Sequence, residues 1–345
     1  MTKISKEYQV GNKDTDILIA RLAKLSTSVD TEYLLREILT TAVKLGMESD
    51  DKGDLKLVNN ALKELRYSFK IFSPYRDIKK VIIFGSARSK NTSEEYKMAE
   101  EFARRITEKG YMVVTGGGPG VMEAGNKGAK PTKEFALNIR LPFEQKPNPY
   151  IYEKEKIINF KYFFTRKLIF IKETDATALF PGGFGTNDEG FEAITLVQTG
   201  KSKPRPILLM EPKGSTYWTA WKRFVSEQLV KNGFIDKEDF NLFQIVKNVD
   251  GAVKYVEDFY RIYHSIRYVA DLTVFRLNRS LSGKKLKFIN QKFKDILTDG
   301  AITPASPARE EIQKVEYLDL PRIAMKFNRR DYGRLFELIR VINKD

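Results

Sequence analysis

From Lys80 the chain alternates short apolar runs of strand length with stretches whose apolar residues recur at helical spacing. The runs predict strands at 81–84, 111–115, 135–139, 177–180, 207–210 and 243–246, separated by helices around 93–109, 156–173, 187–200, 216–231 and 250–265. Such alternation argues for a parallel sheet covered by helices on both faces, because parallel neighbours need a crossover between them. The expected fold is α/β, a Rossmann-like doubly wound sheet with ligands above the carboxyl ends of its strands.

The flanks read differently. Residues 1 to about 30 mix Lys, Asp, Thr and Ser with few apolar positions and are expected to form a partly ordered arm. Two helical patterns follow, one at 31–44 and one from Leu55 to near Pro74, separated by Glu48-Ser49-Asp50-Asp51-Lys52-Gly53-Asp54. Tyr67, Phe69 and Phe72 are expected to pack against the next domain. After Tyr268 the pattern predicts a strand at 269–275, a helix at 282–297, a short extended piece at Ala301-Ile302, a strand at 320–327 and a helix at 331–342. The expected division is a helical extension at 1–78, a Rossmann-like domain at 79–265 and a small α+β appendage at 266–345.

Composition removes whole classes of chemistry. The 345 residues include no cysteine, so disulfides, thiolate nucleophiles and Cys-based metal sites are excluded. A zinc site or a Ser-His-Asp triad would have to rest on His264, the only histidine, near the end of an expected helix. No run resembles a signal peptide or is long enough to cross a bilayer, so the expected location is the cytoplasm. The formal charge of +15 is spread along the chain and mixed with acids, as in Glu153-Lys154-Glu155-Lys156. It reads as a solvated basic surface, and a nucleic-acid partner is not expected.

Three strand ends carry Gly or Ser turns: Gly85-Ser86-Ala87-Arg88, Thr115-Gly116-Gly117-Gly118-Pro119-Gly120 and Pro181-Gly182-Gly183-Phe184-Gly185-Thr186. In a doubly wound fold all three face one edge of the sheet and form a common crevice. For the first, a mere tight connection is a serious competing explanation. The third leads a helix, pairs free N–H groups with the Thr186 hydroxyl, and carries Glu189 and Glu192 one turn apart, which suits a phosphate beside a carboxylate. Neither Gly-x-Gly-x-x-Gly with an acid some 20 residues on nor Gly-x-x-x-x-Gly-Lys-Ser/Thr is present, which disfavours dinucleotides and P-loop chemistry. The aromatics of Asn159-Phe160-Lys161-Tyr162-Phe163-Phe164-Thr165-Arg166-Lys167 form either a wall with a cationic clamp for an aromatic anion, or core with a solvated basic pair.

Pro-Gly-Gly-Phe-Gly-Thr-Asn-Asp-Glu at 181–189, Arg166-Lys167 before it and Gly-Gly-Gly-Pro-Gly-Val-Met-Glu at 116–123 resemble the LOG (LONELY GUY) family. Phe84-Gly85-Ser86-Ala87-Arg88 and Leu141-Pro142-Phe143-Glu144-Gln145 add to the likeness, which is closest to longer bacterial members extended at both ends. The resemblance implies hydrolysis of nucleoside or cytokinin riboside 5′-monophosphates such as AMP to free base and ribose 5-phosphate, without a cofactor, by at least a homodimer. It implies Arg166 and Glu189 as the catalytic pair and Gly182, Gly183, Gly185 and Thr186 on the phosphate. Ser86, Gly117, Gly118, Met122, Glu123 and Lys167 would line the rest of the substrate site. Gly190 departs from the family pattern, which puts a larger apolar residue there. The competing expectation is a non-catalytic carrier or sensor of a phosphorylated ligand, such as a molybdenum-cofactor-type pterin or a signalling nucleotide. Proteins of the LOG family often carry a lysine decarboxylase label, but that reaction needs pyridoxal phosphate or an equivalent electron sink, and nothing marks a Schiff-base lysine.

Overall fold

A computed structural model describes residues 8–28, 30–142 and 146–344; Phe143, Glu144 and Gln145 of the fifth motif lie outside them. The chain divides into two compact units, Met1–Arg66 and Tyr67–Asp345.

The first unit is helical. Where an arm is expected, α1 (Lys13–Ser26) forms, because Asn12 caps it by accepting from the Thr15 N–H at 3.1 Å while Asp14 and Asp16 sit in its first turn. It packs on α2 (Glu32–Glu48), and α3 (Lys52–Phe72) follows and runs across the boundary.

The second unit opens with a seven-stranded parallel sheet of order β4-β3-β2-β1-β5-β6-β7. Its strands are β1 (Lys80–Phe84), β2 (Met112–Thr115), β3 (Glu134–Ile139), β4 (Ile157–Phe160), β5 (Ala176–Leu179), β6 (Ile207–Met210) and β7 (Gln244–Val246). Strand β1 is central and entirely buried, as an unbroken apolar run requires. Val81, Ile83, Val113, Ala178 and Leu208 face one apolar cluster with α4 (Glu94–Glu108), α5 (Val121–Gly128) and α9 (Val249–Phe259). On the other face lie α6 (Phe163–Lys172), whose Phe170 meets Phe84 edge-on at 5.0 Å, and α7 (Phe184–Gln198), packed on Leu179. Then comes α8 (Tyr217–Phe224), which passes into a π-helical turn, so the single helix expected at 216–231 changes pitch midway.

The expected helix at 156–173 is wrong in its first half. Ile157 to Phe160 alternate in burial and pair with β3 as an edge strand. The charged neighbours Lys154, Glu155 and Lys156 hide a four-residue strand from a periodicity reading. Phe72 stacks on Phe135 of β3 at 4.6 Å, and Lys172 lies over the Phe69 ring at 4.7 Å.

The C-terminal part is an antiparallel sheet of order β10-β11-β9-β8, with three helices. Its elements are β8 (Tyr263–Val269), β9 (Leu272–Leu277), α10 (Gly283–Lys292), β10 (Leu297–Ala305), α11 (Arg309–Lys314), β11 (Arg322–Phe327) and α12 (Tyr332–Asn343). The strand expected at 269–275 is a hairpin, and the short piece at 301–302 is the middle of β10. His264 lies in β8 rather than at a helix end, its ring 4.8 Å from that of Tyr317 and tilted 58° to it. Asn343 at the end of α12 ties this part to the core: its Oδ1 accepts from the Ile262 and Tyr263 N–H groups at 2.7 and 3.0 Å, and its Nδ2 donates to the Phe259 carbonyl at 2.7 Å. These groups are buried, so Asn343→Ala leaves two donors without acceptors. It is expected to lower unfolding free energy by about 2–4 kcal/mol in urea titration, and an unchanged midpoint would contradict the assignment.

Candidate functional site

Strand order reverses between β1 and β5, and the turns that follow these two strands lie side by side. The Phe180 N–H donates to the Phe84 carbonyl at 2.8 Å, the Ser86 N–H to the Pro181 carbonyl at 3.1 Å, and the Val121 N–H to the Ser86 carbonyl at 3.0 Å. All three expected turns thus meet around Ser86. Two glycines make that approach possible. Gly120 has φ +67°, and a Cβ there would stand 2.3 Å from the Ser86 carbonyl oxygen; at Gly182 it would stand 2.2 Å from Thr186 Oγ1. Gly85 serves packing as well as the turn, since a Cβ would fall 2.6 Å from Val121 Cγ1.

Gly183 and Gly185 do something else. A Cβ at either would meet nothing within 4 Å. Gly183 is the N-cap of α7 and brings no capping side chain, so the first-turn N–H groups face the cleft without one. The loop is braced from behind by Tyr217, whose hydroxyl donates to the Gly182 carbonyl at 2.7 Å and accepts from Asn187 Nδ2 at 2.7 Å. Asn187 also donates to the Gly183 carbonyl at 3.1 Å.

A cleft of about 810 Å³ opens over these turns, lined by Ser86, Arg88, Met122, Phe163, Arg166, Phe170 and the whole stretch Gly182–Glu189. Arg166 and Glu189 come together in it, Glu189 buried and Arg166 partly so, with guanidinium NH2 3.9 Å from Oε1. The guanidinium is sandwiched by Phe163 and Phe170, at 5.0 and 5.3 Å from their ring centres. Its Nε is buried with no acceptor among the described residues. Of the two alternatives for the aromatic segment each holds in part: Phe160 is core, Phe164 is exposed, and Phe163 with Phe170 walls the cleft.

Burial pushes Glu189 above the ordinary carboxylate range, while Lys167 and Arg166 pull it back. Lys167 is turned away from the cleft, its Nζ 2.6 Å from Glu192, 2.9 Å from Asp188 and 3.4 Å from Glu189. Burial alone would lower its pKa, but these acids outweigh that and raise it.

Gly117, Gly118, Glu123 and Lys167 are not among the lining residues. The carbonyls of Gly117 and Gly118 accept from Asn148 Nδ2 at 3.2 and 3.1 Å, and Gly117 has φ +73° with a Cβ position 2.9 Å from Ala136. The second turn is therefore buried scaffold at those positions, reaching the cleft through Gly116 and Met122. Glu123 accepts from the Tyr96 hydroxyl at 3.0 Å. Gly190 is also explained: a Cβ would sit 3.3 Å from Leu179 Cδ1, so glycine lets α7 lie close on β5. Sequence reasoning missed Arg88 and Tyr217 as parts of the site. Arg88 stands inside a quoted turn, whereas Tyr217 is 30 residues from Asn187 and carries no local signal.

Among the described residues, no helix is long and apolar enough to cross a membrane. Residues 119–256 match the family model described as "possible lysine decarboxylase". Among solved structures, the chain is similar to one titled TM1055, at 26% identity over 52% of this chain and 99% of that one, with a TM-score of 0.38. It is similar to the molybdenum cofactor binding protein of Rippkaea orientalis at 19% identity, over 52% and 94%, TM-score 0.38. The Moco carrier protein of Chlamydomonas reinhardtii follows at 21% identity, over 52% and 96%, TM-score 0.36. No curated protein matches the chain.

Proposed function

We propose that this cleft hydrolyses the N-glycosidic bond of nucleoside 5′-monophosphates, as the resemblance to LOG-type phosphoribohydrolases implies. The observation that carries the reading is the Arg166–Glu189 pair lining the same cleft as the glycine loop that opens α7. The 5′-phosphate rests on the first-turn N–H groups and Thr186, the sugar lies toward Glu189, and the base lies against Phe163 and Met122. As the C1′–N bond breaks, its electron pair leaves with the base and positive charge builds on the ribose. The Glu189 carboxylate faces that charge and orients the attacking water, whose oxygen bonds to C1′ while a proton passes to the carboxylate and the departing nitrogen is protonated. Arg166, 3.9 Å from the carboxylate, holds it in place by charge.

Decarboxylation of lysine fits poorly. A Schiff base needs a neutral amine, and among the described residues no lysine lines the cleft. Lys167, the nearest by sequence motif, is held charged by three acids. On the preferred reading, the chain is one of the longer LOG-type proteins, a cytoplasmic homo-oligomer with its catalytic part at 79–265.

Incubation with a panel of nucleoside monophosphates is expected to release free base and ribose 5-phosphate, seen by chromatography. Nucleotide retained without base release from any member would replace the enzyme with a carrier. Glu189→Gln is expected to lower turnover by roughly 10²–10⁴, the range for a positioned acid–base group, with nucleotide binding kept.

The pH profile has a defined sign. Activity requires the carboxylate, whose pKa burial has raised, so the rate should fall as pH drops through a value above the ordinary Glu range. Lys167→Ala removes a cation that favours the ionised form and should move this acidic limb to still higher pH. A limb that stays in place in the variant would separate Lys167 from Glu189.

A further inference from the structure

Four charged side chains line the cleft: Arg88, Arg166, Asp188 and Glu189. Three of them are committed to one another or to Lys167. Arg166 faces Glu189, and Lys167 bridges Asp188, Glu189 and Glu192. Two cations therefore answer three acids on the α6–α7 side of the site, before any ligand enters. A phosphate dianion placed at Gly182–Thr186 would join an excess of negative charge. The N-terminus of α7 offsets only about half an elementary charge.

Arg88 is the remaining cation. It is exposed, and its guanidinium makes no hydrogen bond or ion pair with any described residue. Its backbone is held all the same. The Arg88 N–H donates to Ser86 Oγ at 3.1 Å, and Ser86 N–H is tied to the Pro181 carbonyl directly before the glycine loop. A cation is thus mounted on a turn fixed to the phosphate loop, with its charge uncommitted. Guanidinium is also the side chain whose planar donor set matches a phosphate two bonds at a time.

We propose that Arg88 is the specificity-determining cation of the cleft: it binds the phosphate held at Gly182–Thr186, so that phosphorylated ribosyl compounds are held more tightly than their unphosphorylated counterparts. This rests on the reading of the cleft as a nucleotide-monophosphate site. Arg88 discriminates by phosphate charge, while Arg166 and Glu189 act at the glycosidic bond, so the two roles separate in experiment.

Calorimetric titration of ribose 5-phosphate and of ribose into the wild type, Arg88→Gln and Arg88→Lys tests it without relying on turnover. Arg88→Gln is expected to weaken ribose 5-phosphate binding roughly 10–100-fold, the range for a lost charged hydrogen bond, and to leave ribose binding unchanged. Arg88→Lys should recover part of the loss, since charge returns without the planar fork. The melting temperature of both variants should match the wild type, because the guanidinium has no partner to lose. Equal ribose 5-phosphate affinity in wild type and Arg88→Gln overturns the proposal, as does a parallel loss of ribose binding or a wild type that binds no ribose 5-phosphate. A wild type that binds ribose 5-phosphate through Arg88 but releases no base from any monophosphate overturns the hydrolase and leaves the role of Arg88 standing.

Discussion

The backbone of Ser86 is the point on which the site depends. Its N–H is taken by the turn after β5 and its carbonyl by the first residue of α5, so one residue fixes three strand ends at the reversal of the sheet. The arrangement is possible only because positions 120 and 182 have no Cβ; at both, an added carbon would fall well inside van der Waals distance of polar atoms. A parallel sheet delivers its loops to one edge, but it does not by itself bring two of them into hydrogen-bond range. The glycines do that, and the cleft above them inherits a floor of rigid backbone rather than mobile side chains.

On this floor the charges are layered. Lys167 sits behind Asp188, Glu189 and Glu192 and takes up their negative charge away from the opening, while Arg166 lies between two phenyl rings at the cleft wall. The carboxylate that faces the opening is therefore buried but not isolated: desolvation and cation pull its proton affinity in opposite directions, and desolvation prevails.

Six of the seven strands were legible as short, mainly apolar runs, and four of them, β1, β2, β5 and β6, are followed within two residues by Gly or Pro. Strand β4 was not, since an edge strand only four residues long follows a charged run and keeps one of its positions in water. The pairing of Arg166 with Glu189 came from the family resemblance, not from any spacing in the sequence. The inward turn of Gly117 and Gly118 was not, because burial against Asn148 and Ala136 depends on a loop 30 residues away. Tyr217 escaped for the same reason: a hydroxyl bracing a distant carbonyl leaves no periodic trace. Asn12 shows the reverse case, where a single capping side chain made a helix out of a segment whose composition looked indifferent.

The far end of α7 is as confined as its beginning. Tyr332 of α12 stands where a side chain on residue 200 would have to go, since a Cβ there would lie 1.9 Å from its hydroxyl, and Gly200 itself has φ +69°. The helix that carries Glu189 is consequently seated between a glycine loop and a phenol supplied by the last helix of the chain. The C-terminal part is in this sense a buttress. Any lineage that shortened the protein from this end would have to fill a ring-sized hollow beside Gly200, just past the helix that carries Glu189.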